Sequence, residues 1–166
     1  MDEVFPDRTA RRAAVIAAAR QRAGNDRSKA EEAELQRRAA VARRQENINY
    51  WGSPTQEHTL SHMICQTVTR VGQDYADQGS PLLVRFTSSA NDPPPHCVRF
   101  EFHRSGHQSA PLGEYRFILD ALRSSVTVGI SISGCSIRKT QPIREVFADW
   151  IENLTDEAFE EALKVT

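Results

Sequence analysis

The chain contains 166 residues and has a formal net charge of −1 at pH 7. This length fits one domain with an appendage, and the balanced charge excludes a globally basic or acidic protein. No stretch approaches the ~18 consecutive apolar residues of a membrane span, and no secretory signal pattern opens the sequence. We therefore expect a cytoplasmic protein that makes no membrane contact.

Charge is distributed unevenly along the chain. Residues 1–45 hold eleven Lys and Arg residues against seven Asp and Glu, whereas residues 145–166 hold one against seven. Opposite charge at the two ends predicts attraction between them, within one chain or between chains. Self-association or a protein partner is therefore expected, and the protein is predicted to be an oligomer. Arginine also far outnumbers lysine, a composition associated with GC-rich bacterial genomes, so we predict a bacterial protein.

Residues 1–46 are predicted to form a basic, Ala- and Arg-rich helical arm. Helix propensity is high over residues 7–23, and Gly24 is expected to end this first helix. An S-x-x-E capping box opens a second helix over residues 28–46. Apart from the initial Met, only six residues of 1–45 are apolar and larger than alanine. The arm therefore has no core of its own and must pack against the sheet domain, a second copy or another molecule.

Residues 47–166 are predicted to form an α+β domain that contains one helix, four antiparallel strands and two C-terminal helices. Residues 47–52 are interpreted as a hinge. The helix after it is expected to begin at Ser53 and Pro54, because serine is a preferred N-cap and proline is favoured at the first helical position. Its apolar stripe is expected to cover one face of the sheet.

Four successive segments alternate between apolar and polar residues. They span residues 82–87, 97–103, 114–121 and 126–133. Alternation with a period of two predicts an antiparallel meander sheet with one face packed on amphipathic helices and the other exposed to water. Residues 131–140 are interpreted as the connection to a helix that starts at Pro142, and Thr155 is expected to cap the last helix.

The exposed face of the predicted sheet carries Arg85, Arg99 and Arg116 together with Glu101 and Asp120. Pairing between neighbouring strands would make these charges a stabilising ladder worth about 0.2–1 kcal/mol per pair. The same arginines would also suit an acidic partner or a phosphate backbone. Aromatic residues fall on the packed face, which argues against base stacking of the kind that RNA-binding sheets use.

The arm and the hinge supply the remaining candidate partner-binding residues. These are Arg37, Arg38, Arg43, Arg44, Tyr50 and Trp51. Arginines on helices can contact phosphates without reading bases, which would give salt-sensitive nucleic-acid binding. Acidic residues interrupt the basic run, and no helix-turn-helix with an apolar core is visible, so docking on a protein is favoured over nucleic acid.

A metal site is the weaker alternative. His58 and His62 stand four residues apart, which would place both imidazoles on one face of the predicted helix, and Cys65 follows. The H-E-x-x-H signature is absent, and structural zinc takes four converging ligands. Neither a phosphate loop nor a nucleophile elbow is present. We therefore predict no metal, no cofactor and no catalytic residue.

Cys65, Cys97 and Cys135 are odd in number, and their spacing matches no disulfide framework or C-x-x-C metal motif. A reducing compartment is therefore expected. Together these patterns predict a non-enzymatic adaptor, inhibitor or assembly subunit that binds a macromolecular partner through the arm or the polar sheet face. An accessory nucleic-acid-binding protein is the alternative, and a small metal-dependent protein or enzyme is a weaker one.

Overall fold

The computed structural model describes residues 8–87, 96–106 and 110–166. The first seven residues of the predicted arm lie outside this part of the chain. The helices are α1 (Arg8–Trp51), α2 (Leu60–Asp77) and α3 (Ala148–Leu163), and a short 3-10 helix spans Ile143–Glu145. The strands are β1 (Leu82–Phe86), β2 (Cys97–Arg104), β3 (Gly113–Asp120), β4 (Ser125–Ile132) and β5 (Cys135–Pro142).

The five strands form one antiparallel meander in the order β1-β2-β3-β4-β5. This confirms the predicted α+β class with an antiparallel sheet, and it corrects the number of strands from four to five. The alternation of β4 is realised in full, since Val126, Val128, Ile130 and Ile132 are each at most 1% exposed. The period-two pattern therefore sets which face of the sheet is packed.

The fifth strand replaces the predicted connection over residues 131–140. Ser133 and Gly134, with φ of 37° and 92°, form a two-residue hairpin turn that returns the chain along β4. The strand was not predicted because its inward positions are not consistently apolar. Lys139 lies opposite the buried Val128, and its Nζ donates to the Glu157 carboxylate of α3 at 2.6 Å. At this inward-facing position of β5 an ion pair stands in place of the hydrophobic residue that an alternating strand pattern requires.

The core lies between one face of the sheet and helices α2 and α3. The α2 stripe contributes Leu60, Ile64 and Val68, each at most 2% exposed. An aromatic group joins the layers, because the Phe159 ring of α3 meets the Phe102 ring of β2 edge-on with their centroids 5.1 Å apart. The predicted cover of the sheet by an amphipathic helix is therefore present.

Helix α1 is continuous where the sequence predicts a break. Gly24 lies in its middle, where a glycine costs only about 1 kcal/mol relative to alanine and the surrounding Ala and Arg residues favour helix. The chain divides into two compact units, Met1–Ala42 and Arg43–Thr166, so the predicted boundary after residue 46 lies inside α1. The last turns of α1 consequently belong to the same unit as the sheet.

The predicted hinge over residues 47–52 is helical up to Trp51 and is fixed to the sheet unit. The Asn47 side chain is 4% exposed, and its Nδ2 donates to the Ala121 carbonyl at 3.0 Å and to Ser124 Oγ at 2.8 Å. Ser61 Oγ donates to the Trp51 carbonyl at 2.7 Å. These buried hydrogen bonds make the end of α1 an integral part of the domain.

Two predicted helix starts are also corrected. Helix α2 begins at Leu60 rather than at Pro54, because Thr59 is the N-cap and its side chain accepts from the His62 amide. Helix α3 begins at Ala148 rather than at Pro142, which ends β5, and it continues through Thr155, so one helix replaces the two predicted C-terminal helices. Thr155 Oγ1 donates to the Ile151 carbonyl one turn earlier at 2.7 Å, which satisfies its hydroxyl inside the helix.

Candidate interaction site

Helix α1 carries a long exposed surface over residues 9–46. Every described side chain from Thr9 to Glu46 is exposed. The exposed set includes four large apolar residues with exposures of 53–68%: Val15, Ile16, Leu35 and Val41. Helices in water normally owe their stability to a buried face, so this surface is suited to packing against another molecule.

Within residues 9–42 of α1, five cations fall on one side of the helix. At about 100° per residue, they occupy a sector about 100° wide that runs about 39 Å along the axis. They are Arg11, Arg12, Arg22, Lys29 and Arg37. No described carboxylate lies within 4.0 Å of these cations, although Asp26 falls in the same sector. We call the five cations the basic stripe.

Other arginines of α1 fall outside the basic stripe. Arg27 pairs with Glu31 at 3.3 Å, and the predicted site residue Arg38 pairs with Glu34 at 3.0 Å. These are exposed pairs one helical turn apart, which stabilise a helix by a few tenths of a kcal/mol. Because glutamates pair with Arg27 and Arg38, the basic stripe is the side of the arm with the largest uncompensated positive charge among the described residues.

The predicted site residues at the end of α1 divide into exposed and buried positions. Arg43 and Arg44 are exposed. Tyr50 is half-buried beneath the Arg144 guanidinium, whose Cζ lies 4.2 Å from the ring centroid. Trp51 is 2% exposed and belongs to the hydrophobic core, so its side chain is not presented to a partner.

The polar face of the sheet holds the three other predicted site arginines. Arg85 is exposed and lies opposite Glu101, whereas Arg99 lies directly opposite Arg116. Glu114 compensates this like-charge pair, since its carboxylate is 3.9 Å from Arg99 Nη1 and 3.4 Å from Arg116 Nε. Of these two contacts only the one between Arg99 and Glu114 joins two strands. The acidic residues of the predicted ladder lie elsewhere, since a Glu101 carboxylate oxygen is 3.2 Å from His103 Nε2 and an Asp120 oxygen is 3.7 Å from Arg123 Nε.

One further residue of this face, Arg138, was missed because β5 was not predicted. Arg116 lies opposite Gly129 on β4, and Gly129 lies opposite Arg138 on β5. A pocket of about 290 Å³ opens at this point. The signal in the sequence is the pair Ser133 and Gly134, which is typical of a hairpin turn and implies a returning strand.

The geometry assumed for the metal candidates is not realised. His58 lies in a turn with φ of 64°, outside α2, so it does not share a helix face with His62. The His62 Nδ1–H donates to the Pro54 carbonyl at 2.8 Å. Across the ranges that the structure describes, no group of three His, Cys, Asp or Glu side chains is placed to hold a metal ion.

Cys65 lines an open groove of about 860 Å³ on α2. Burial raises the pKa of its thiol to about 12. Because the thiolate is the nucleophile, alkylation by iodoacetamide in the folded protein should accelerate about tenfold per pH unit from about pH 7 to about pH 10, without a plateau. Mass spectrometry of the Cys65 peptide measures this rate. In urea the alkylation rate of the same thiol should stop rising at about pH 9. If the rate stopped rising at that pH in the folded protein, the burial of Cys65 would be contradicted.

No helix in the described part of the chain is both long and apolar enough to cross a membrane. Comparison of the chain with protein-family models, with curated proteins and with solved structures finds no match. Any functional conclusion therefore rests on the residues and surfaces of this chain itself.

Proposed function

We propose that the protein is a non-enzymatic assembly subunit or adaptor whose arm docks on an acidic protein surface, and that this surface is supplied by a second copy of the chain. The observation that carries the proposal is that every side chain from Thr9 to Glu46 is exposed, on a helix that includes large apolar residues. Such a helix gains stability when a partner covers it.

A matching acidic surface exists on α3. Asp149, Asp156 and Glu160 fall within a sector of about 40° of the helix. No cation in the described ranges lies within 4.0 Å of their carboxylates. The basic stripe of one copy and this acidic stripe of another are complementary in charge, which favours their encounter and fixes their orientation.

Exposed apolar side chains favour a protein partner over a nucleic acid. Val15, Ile16, Leu35 and Val41 are more than half exposed. A protein interface buries such residues at its centre, whereas a phosphate backbone offers them only charge and water.

The reducing cytoplasm is the compartment we propose. None of the three cysteines, which all lie within the described ranges, forms a disulfide.

Light scattering after size exclusion of the full chain tests the proposal. We expect a defined oligomer at low salt that weakens at high salt, because salt screens exposed charges. The triple variant Arg11→Gln, Arg22→Gln, Arg37→Gln should shift the protein toward monomer. The control variant Arg20→Gln, Arg27→Gln, Arg38→Gln removes the same charge outside the basic stripe and should leave the oligomer intact.

A charge exchange makes the test specific for the two stripes. Asp149→Lys, Asp156→Lys, Glu160→Lys should abolish assembly, as should Arg11→Glu, Arg22→Glu, Arg37→Glu. Mixing the two variant proteins should restore a complex, because each then carries a charge that suits the other. A monomeric full chain at low salt, or equal loss of assembly in the control variant, would overturn docking between copies.

Binding of a nucleic acid is the second candidate, and the basic stripe favours it. Five cations over about 39 Å could contact phosphates, with no described carboxylate within 4.0 Å of them. This function predicts an elevated 260 nm absorbance of the purified protein that salt removes, and affinity that falls steeply with salt concentration. Each Arg→Gln substitution in the stripe would then reduce the salt slope by about one.

A further inference from the structure

We infer that the polar face of the sheet contains an oxyanion-binding pocket between Arg116 and Arg138, above Gly129, and that its ligand is a phosphate monoester group. The pocket lies in the sheet unit and does not depend on the proposed role of the arm. It combines three independent features: a gap in the side-chain layer, an arginine that no described carboxylate pairs with, and hydroxyl groups at its wall.

The gap arises from the register of three neighbouring strands. Arg116, Gly129 and Arg138 are direct cross-strand neighbours on β3, β4 and β5. Strands lie about 4.8 Å apart, so the two arginine backbones are about 10 Å from each other across the glycine. A Cβ built on Gly129 would meet no atom within 4 Å. The glycine therefore forms a floor that two long side chains can reach across.

The pocket has the size of a site for a small charged group. Its volume is about 290 Å³. Its lining consists of Arg116, Ile118, Thr127, Gly129, Ser136, Ile137 and Arg138. Two of these residues carry hydroxyls, which can donate to an oxyanion while the arginines supply charge.

One arginine of the pocket, Arg138, has no carboxylate partner among the described residues. Arg99, Arg116 and Arg138 form one row across the sheet with Gly129. Glu114 pairs with the first two arginines. No described carboxylate lies within 4.0 Å of Arg138. Arg138 therefore brings to the pocket a positive charge that no described carboxylate neutralises, and arginine remains protonated at any physiological pH.

A phosphate monoester matches this site better than a carboxylate does. It carries about −1.5 to −2 charge at pH 7 and three acceptor oxygens, which suits two guanidinium groups and a hydroxyl. Guanidinium groups bind phosphate oxygens in a bidentate manner. A carboxylate offers two oxygens and one charge, and Glu114 already shows how this face accommodates one.

Amide NMR of the full chain titrated with inorganic phosphate tests the pocket. We expect saturable shifts at Gly129 and Arg138, which Gly129→Val should abolish by filling the floor, and which Arg138→Gln should weaken about tenfold. Arg123→Gln removes an exposed charge at the β3–β4 turn and serves as the control. Shifts that persist in Gly129→Val, that weaken equally in Arg123→Gln, or that never saturate would overturn the pocket.

Two further titrations separate the sources of the phosphate group. Tighter binding of a phosphoserine peptide than of inorganic phosphate would identify a modified protein, and tighter binding of a nucleoside monophosphate would identify a small metabolite. Acetate at equal concentration should not compete, and competition by acetate would overturn the assignment to phosphate. Repeating the titration with Arg11→Gln, Arg22→Gln, Arg37→Gln should give the same affinity, because the basic stripe is not involved.

Discussion

Replacing Trp51 with alanine should lower the free energy of unfolding of the sheet unit by about 3–5 kcal/mol, the usual cost of removing a large buried aromatic side chain. Trp51 is 2% exposed and packs with the hydrophobic core at the end of α1. Its loss leaves a cavity where α1 joins the sheet unit. Urea denaturation followed by the fluorescence of the remaining tryptophan, Trp150, measures the change.

Phe147→Ala provides the matched control for the Trp51 prediction. Phe147 is an aromatic residue of the same unit, but it is 62% exposed. Its replacement should change the free energy of unfolding by only about 0.5 kcal/mol. If Trp51→Ala instead left stability unchanged, its side chain would be free to serve as a partner contact and its placement in the core would be contradicted.

Replacing Gly113 with alanine should destabilise the protein by about 3 kcal/mol or more, because the added methyl group meets backbone that cannot move alone. The new Cβ would lie 2.3 Å from the Ser131 carbonyl oxygen and 2.8 Å from the Ile132 Cα of the neighbouring strand. Relief requires β3 and β4 to separate at this point. Thermal unfolding followed by calorimetry measures the loss.

Gly129→Ala is the control for Gly113→Ala within the same sheet. Its added Cβ has no neighbour within 4 Å, and alanine restricts the unfolded chain more than glycine does. We expect unchanged or slightly increased stability. A comparable loss in both variants would show that the cost comes from a general intolerance of β3 and β4 to substitution rather than from the close approach at Gly113.

The sequence predicts those elements of the fold in which burial and pattern coincide. In β4 every second residue is apolar and buried, so alternation alone predicts which of its faces is packed. The pattern fails at Phe86, which is predicted to be packed but is 43% exposed at the end of edge strand β1. It fails again in β5, where an ion pair from Lys139 replaces an apolar inward residue.

Local helix signals proved less reliable than tertiary context. Ser53 and Pro54 match a helix start, yet Thr59 caps α2, and its hydroxyl donates to the Gln56 carbonyl at 2.7 Å within the preceding turn. Gly24 matches a helix end, yet α1 continues through it. Capping preferences are worth only about 1 kcal/mol each, so neighbouring residues readily override them.

The candidate surfaces were partly accessible from sequence. The arm residues Arg37, Arg38, Arg43 and Arg44 were predicted to bind a partner, and all four are exposed. Trp51 was assigned to a partner because its aromatic character resembled an interface anchor, whereas only tertiary packing reveals its burial. Arg138 was beyond prediction, because its position on the sheet depends on a strand that the hydrophobic pattern does not mark.

The inward-facing Lys139 has a consequence for how the protein behaves at high concentration. In the described sheet, β5 is an edge strand, and an edge presents unpaired amides and carbonyls that can recruit a strand from another molecule and so seed aggregates. A strand added there would place its own side chains beside the ammonium group of Lys139 and would have to accommodate that charge. A charged residue that points inward on an edge strand is therefore expected to disfavour growth of the sheet beyond its fifth strand.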